Sequence, residues 1–277
     1  MSPTSAAVAA VAHRSLSSLR QRSTCLFGMR SYVDSVPAPM GGTVGTQEAF
    51  GHQSSPPPIA TGLAVANPDL TVWVATGDGD SMSIGGNHFI HALRRNVNLN
   101  ILLFNNEIYG LTKGQYSPTS KQGKVTKSTP MGSLDKPLSP SLLALGAGSS
   151  FFARVIDTDH KAMADVLAQA VAHQGTSVVE ILQNCVIFND AAFGHITDKK
   201  TAKDTQIRLT DGEPLTFAGG TKGIAMQGAE PVIVDVDSGT DIIVHDTQGS
   251  ISYGGMLASL DAPEFPRPLG VLWKHER

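Results

Sequence analysis

From Ile59 onward, apolar and polar positions follow two alternating periods. Four short apolar runs are each bounded by turn formers and predict buried strands: TVWVAT (Thr71 to Thr76), ILLF (Ile101 to Phe104), FFARVI (Phe151 to Ile156) and TSVVEIL (Thr176 to Leu182). Between the last two, Met163, Val166, Leu167, Ala170 and Val171 share one face of a helical period. Asp159 precedes them and Gly175 follows, which predicts an amphipathic helix. Strand, helix and strand in succession predict an α/β fold, a parallel sheet with helices on both faces, because a parallel crossover needs a connection of helix length. Ligands of such sheets sit at the C-terminal ends of the strands.

Residues 1–58 show no sustained apolar period and are rich in Ser, Ala, Pro and Gly, closing on HQSSPPP, which reads as an extended linker. The expected organisation is an unmatched, flexible segment over 1–58, a ligand-binding domain over 59–190, and a C-terminal extension over 191–277 that packs on the core or on a partner subunit. Arg14, Arg20, Arg22 and Arg30, among serines and ahead of the first acid at Asp34, also fit an organelle-targeting composition. A cytoplasmic setting is the simpler expectation.

Composition changes this picture only by exclusion. A formal net charge of -3 offers no basic surplus for neutralising phosphates, so nucleic acid is not an expected partner. No apolar run reaches the roughly 20 residues of a membrane span. Charged residues make up 16% of the chain, which suggests surface that is either buried against other chains or polar without charge. Cys25 and Cys185 lie far apart and form no CxxC pair or disulfide framework.

The chemistry concentrates at the end of the first strand, in TGDGDSMSIGGNH (Thr76 to His88). Gly77 and Gly79 permit a tight turn close to a ligand, and the helix that follows offers its N-terminus to an anion. A plain strand-to-helix turn is the competing reading. A dinucleotide fingerprint fails because Met82 stands where a third glycine is needed, an EF-hand loop fails at Met82 and Phe89, and no Walker string occurs. What remains is a diphosphate bridged by Mg2+, which takes one or two protein oxygens along with substrate phosphates. Asp78 suits that role, and Asn106, one crossover later at the end of the next strand, could share the ion.

The string IATGLAVANPDLTVWVATGDGDSMSIGGNHFIHALRRNVNLNILLFNNEIYGLTKGQYSPTS (Ile59 to Ser120) resembles the beta subunit of 2-oxoacid:ferredoxin oxidoreductases of the 2-oxoglutarate:ferredoxin oxidoreductase type. The likeness is close to about Asp190 and looser through DGEPLTFAGGTKGI, DIIVHD and PEFPRPLGVLW. It implies the thiamine diphosphate-binding fold. Asp78, Asn106 and the Ile108 carbonyl would ligate Mg2+, and Gly77, Gly79, Asp80, Leu111 and Thr112 would line the diphosphate. Catalytic residues are not assigned, and His88 is likewise left unassigned. The resemblance further implies CoA-dependent oxidative decarboxylation of a 2-oxoacid, 2-oxoglutarate in particular, with electrons leaving through iron-sulfur centres to ferredoxin. An alpha subunit would supply the glutamate that activates the cofactor ring.

The chain departs from that family in its thiols. A [4Fe-4S] cluster takes four thiolates, yet only Cys185, in ILQNCVIFND, stands at a matching place as a possible ligand, while Cys25 lies in an unlike context. No stable cluster is expected unless another chain supplies ligands. A cluster-deficient, truncated and non-catalytic homologue is therefore the alternative function, and a non-redox thiamine diphosphate decarboxylase a third. Lys113, Lys121, Lys124 and Lys127, with no acid between Lys113 and Pro130, form either a positive patch or a solvated loop.

Overall fold

The computed structural model describes residues 24–29, 47–51 and 56–275, with side chains from Pro56 onward. Its strands are β1 (Thr24–Met29), β2 (Gln47–Gly51), β3 (Thr71–Gly77), β4 (Leu99–Asn105), β5 (Phe151–Ile156), β6 (Thr176–Leu182), β7 (Gln206–Arg208), β8 (Thr216–Phe217), β9 (Lys222–Gln227), β10 (Glu230–Asp235) and β11 (Arg267–Lys274). Eight of them form one sheet in the order β2-β1-β3-β4-β6-β5-β11-β7. The four predicted strands lie side by side at its centre, in parallel register.

The sheet is mostly parallel, as expected, with one antiparallel pairing: β11 runs antiparallel to β5. An antiparallel neighbour needs no crossover helix, so the returning chain can cover the β5 edge from the opposite direction.

Helices cover both faces because successive strand residues point to opposite sides. Val72, Val74, Ile101 and Leu103 pack against Ala60 of α1 (Pro56–Ala66) and Phe89 and Leu93 of α2 (Gly86–Arg95). With α3 spanning Pro140–Gly146, the next long helix is α4 (His160–Ala172). Its Met163, Val166, Leu167 and Ala170 meet Trp73, Leu102 and Phe104 on the other face. Each such large side chain removed from water contributes about 1.5–3 kcal/mol before chain entropy is set against it. The α4 start follows the sequence reading: the Asp159 carboxylate accepts the Ala162 N–H at 3.1 Å.

HQSSPPP is not an extended linker throughout. Pro56, Pro57 and Pro58 make the first turn of α1, where proline's missing N–H costs nothing because first-turn amides have no helical acceptor. Two strands of the stretch read as flexible, β1 and β2, pair in parallel with each other, and β1 pairs with β3. The remainder of 1–55, including the arginine-rich portion, lies outside the described residues, apart from these strands.

In the C-terminal part, β8, β9 and β10 form a small second sheet. Ile207, Leu215, Phe217, Ile224, Leu257 and Leu260 gather into a core of their own beside it. No helix among the described residues is long and apolar enough to cross a membrane.

Candidate functional site

The ends of β3 and β4 carry the site. Asp78 follows β3 directly and is buried. Its carboxyl is pushed above the usual carboxylate range by burial, against the lowering effect of the Ser117 and Thr119 hydroxyls and the Asn106 and Gly79 backbone N–H groups. Among the described residues no cationic side chain forms an ion pair with it. A buried carboxylate that gathers donors but lacks a counter-charge is chemically suited to a hard cation.

Gly79 is required for a steric reason. Tyr109 donates its hydroxyl to the Gly79 carbonyl at 3.0 Å, and a Cβ on Gly79 would stand 2.2 Å from the tyrosine ring. Gly77, by contrast, would tolerate a Cβ, whose nearest neighbour is the Phe104 carbonyl at 3.9 Å. After Gly79 the chain makes a wide π turn over Asp80–Ile84 before α2 begins at Gly86. The sequence had suggested a single helix start there. Asp80 is buried and turned back onto the strand, its Oδ2 accepting the Thr76 hydroxyl at 2.7 Å.

The second arm leaves β4 through Asn105, Asn106, Glu107 and Ile108. Asn106 Oδ1 accepts the Ile108 N–H at 3.3 Å, an Asx turn, and Glu107 takes a positive φ of 55°. Glu107 is raised to about 7, chiefly by burial, with Lys121 and Arg267 pulling the other way. Leu111 and Thr112 lie farther out on the exposed turn that follows. Thus Gly77, Asp78, Gly79, Asp80, Asn106 and Ile108 converge on two neighbouring strand ends, while Leu111 and Thr112 sit on the surface loop.

Three features escaped the sequence reading. The SPTS turn acts as a clasp: Thr119 donates to Asp78 Oδ2 at 2.6 Å, and Ser120 donates to the Glu107 carbonyl at 2.6 Å. Asn189 braces the same arm, its amide donating to the Asn106 carbonyl at 2.9 Å and its Oδ1 accepting Lys124 Nζ at 2.5 Å. Lys124 is therefore engaged at the site, unlike a lysine in a free positive patch. Arg154 and Glu180, hidden inside apolar runs, form a buried ion pair beneath Asn105. Only the hydroxyl-rich SPTS string offered a signal.

Cys185 is half-buried, and its backbone bridges Asn189 in the same loop. The sequence has one other cysteine, Cys25 on β1, so its two thiols are fewer than the four that such a cluster takes. Nor do three or more His, Cys, Asp or Glu side chains gather for a metal among the described residues, so a cation here would need ligand phosphates or water as well. A cavity of about 910 Å³ opens beside the arm, with Asn105, Glu107, Thr119, Lys121, His195 and Arg267 in its wall.

Residues 35–181 match the model of the thiamine pyrophosphate enzyme family, C-terminal TPP-binding domain. The chain belongs to that family. In this TPP-binding domain, the match encloses β3, β4 and the whole convergence around Asp78, and it begins ahead of Ile59. The chain is similar to 2-oxoglutarate oxidoreductase subunit KorB of Mycobacterium tuberculosis, 54% identical over 198 residues that cover 69% of this chain and 52% of the relative. It is also similar to 2-oxoacid:ferredoxin oxidoreductase subunit beta of Saccharolobus solfataricus, 42% identical over 145 residues, covering 52% of this chain and 48% of that one. The chain thus spans about half the length of these curated relatives. A solved 2-oxoglutarate:ferredoxin oxidoreductase from Magnetococcus marinus, with 2-oxoglutarate, coenzyme A and succinyl-CoA bound, superposes with a TM-score of 0.73 at 26% identity, covering 100% of this chain and 81% of that one.

Proposed function

We propose that this TPP-binding chain serves as the beta-type subunit of a 2-oxoacid:ferredoxin oxidoreductase. It would hold the diphosphate of the cofactor through Mg2+ bound by Asp78, the Asn106 side chain and the Ile108 carbonyl. The observation that carries the reading is the buried Asp78 carboxylate, without an ion pair among the described residues, beside Asn106 on the adjoining strand end. Gly77, Gly79, Asp80, Leu111 and Thr112 would line the diphosphate.

When bound, thiamine diphosphate supplies the carbon nucleophile that decarboxylates a 2-oxoacid. This chain's residues bind and orient. Asp78 offers a carboxylate oxygen, the Gly79–Tyr109 contact fixes the turn, and Asn189 holds the second arm in place. An alpha subunit, coenzyme A as acyl acceptor and ferredoxin as electron acceptor complete the proposal. The names of the relatives point to 2-oxoglutarate as the substrate, and nothing in them favours the non-catalytic alternative.

Calorimetric titration of thiamine diphosphate in Mg2+ buffer, on the chain co-expressed with its companion subunit, tests the site. Asp78→Ala is expected to weaken binding by roughly 100-fold or more, since loss of a mere supporting contact to a metal ligand already costs about 10–100-fold. Unchanged affinity in that variant would remove the reading.

A further inference from the structure

Five buried side chains form an unbroken polar path beneath the proposed cation site. Arg154 on β5 and Glu180 on β6 are register partners across the sheet, and Arg154 Nε lies 2.6 Å from Glu180 Oε2. Glu180 Oε1 accepts from Asn105 Nδ2 at 2.8 Å. Asn105 Oδ1 lies 2.9 Å from the Thr119 hydroxyl, which also lies 2.6 Å from Asp78 Oδ2. All five residues are buried.

The proton positions along this path follow from chemistry. A carboxylate only accepts, so Glu180 obliges Asn105 to present its NH2 to it and hence its carbonyl oxygen to Thr119. Thr119 then faces acceptors on both sides and must donate its single proton. The shorter contact, to a carboxylate, takes it. Asn105 Oδ1 remains available to the Glu107 N–H, 3.3 Å away, which is the amide of the residue held at positive φ. Asp78 Oδ2 is thereby engaged by Thr119, within a carboxyl that also meets the Ser117 hydroxyl and the Gly79 and Asn106 N–H groups, while the arm bearing Asn106 and Ile108 is pinned from below.

We infer that Thr119, Asn105 and Glu180, anchored by Arg154, are positioning residues that choose which Asp78 oxygen meets the cation and hold the Asn106–Ile108 arm opposite it. The inference rests on the proposed role of Asp78. Replacing Thr119 by valine removes the 2.6 Å donor to Asp78 Oδ2 at constant shape and leaves the carboxylate to be oriented by its remaining donors alone. Replacing Glu180 by glutamine gives Arg154 the remaining oxygen, turns the new NH2 toward Asn105, flips that amide, and deprives the Glu107 N–H of its acceptor.

The test is Mn2+ binding followed by electron paramagnetic resonance with thiamine diphosphate present, on the full chain co-expressed with its companion subunit. Thr119→Val and Glu180→Gln are each expected to weaken Mn2+ affinity by about 10–100-fold, and Thr119→Ser to restore it to within about threefold of wild type. The double variant should weaken affinity by less than the product of the two single effects, since both act on one path. Wild-type affinity in folded Thr119→Val overturns the inference and leaves the Asp78 site intact. Should that variant not fold, wild-type affinity in Glu180→Gln overturns it instead. Absence of Mn2+ binding in the wild-type complex overturns the site reading itself, and this inference with it.

Discussion

Two regions meet at the Asn105 end of β4, and they are built on opposite terms. Beneath it, polar groups are buried and linked in a continuous path, from Arg154 through Glu180 and Asn105 to Thr119 and Asp78. Beyond it, the surface loop carries apolar side chains in the open: Met131 is 93% exposed, Leu134 85% and Leu111 58%. Up to Asp78, whose carboxylate has donors but no ion pair among the described residues, the underside is completed by side chains of one chain, because a buried charge or amide without a partner forfeits hydration without return. The outer loop bears no such obligation, and its apolar side chains stay mostly uncovered by the described residues.

The comparison breaks most visibly if one member of the buried pair is removed. Arg154→Ala should lower the unfolding free energy by about 3–5 kcal/mol, because it leaves Glu180 buried without its charge partner. Denaturant unfolding at fixed pH measures this, and a loss under about 1 kcal/mol would mean that water or another residue substitutes for the guanidinium.

Acid gives a smaller, titratable effect away from the site. His245 is buried, with its Nε2 2.9 Å from the Val271 carbonyl and its Nδ1 2.9 Å from the Tyr253 hydroxyl, so Nε2 carries the proton and Nδ1 accepts. Burial, the largest cause, holds its pKa below the ordinary 6.5. A depressed folded-state value means that the neutral form is favoured on folding. Its contribution to stability is thus full above the unfolded value near 6.5 and is lost as pH falls through the lower folded value. Unfolding free energies at pH 7.5 and 5.5 should differ more in the wild type than in His245→Gln; equal differences would show that His245 does not couple folding to protons.

The smallest effect belongs to the outer loop. Met131→Ser and Leu134→Ser should each change the stability of the isolated chain by no more than about 0.5 kcal/mol. A larger loss in thermal or denaturant unfolding would show that the loop is packed after all, and the contrast with the underside would fail.

Periodicity disclosed the framework well. FFARVI and TSVVEIL match β5 and β6 residue for residue, while TVWVAT and ILLF fall inside slightly longer strands, Thr71–Gly77 and Leu99–Asn105. The α4 face and its Asp159 cap were equally plain, since both depend on neighbours three or four positions apart. The π turn after Gly79 was not legible, because no local spacing distinguishes it from an ordinary helix start. Nor were β1, β2 and the proline turn of α1, whose apolar patterning is too weak to separate strand from loop.

By itself, the sequence determined the strand and helix succession at the centre of the chain, the placement of Asp78 and Asn106 at strand ends, and the chemical kind of ligand such ends suit. These depend on the order of residues along the chain and on short-range geometry. Only the tertiary structure decided that Arg154 faces Glu180, that Thr119 reaches Asp78 across 41 positions, and that Asn189 reaches the Asn106 carbonyl across 83. Such partners are chosen by strand register and loop closure, which bring distant groups within hydrogen-bond reach without leaving a periodic trace in the sequence.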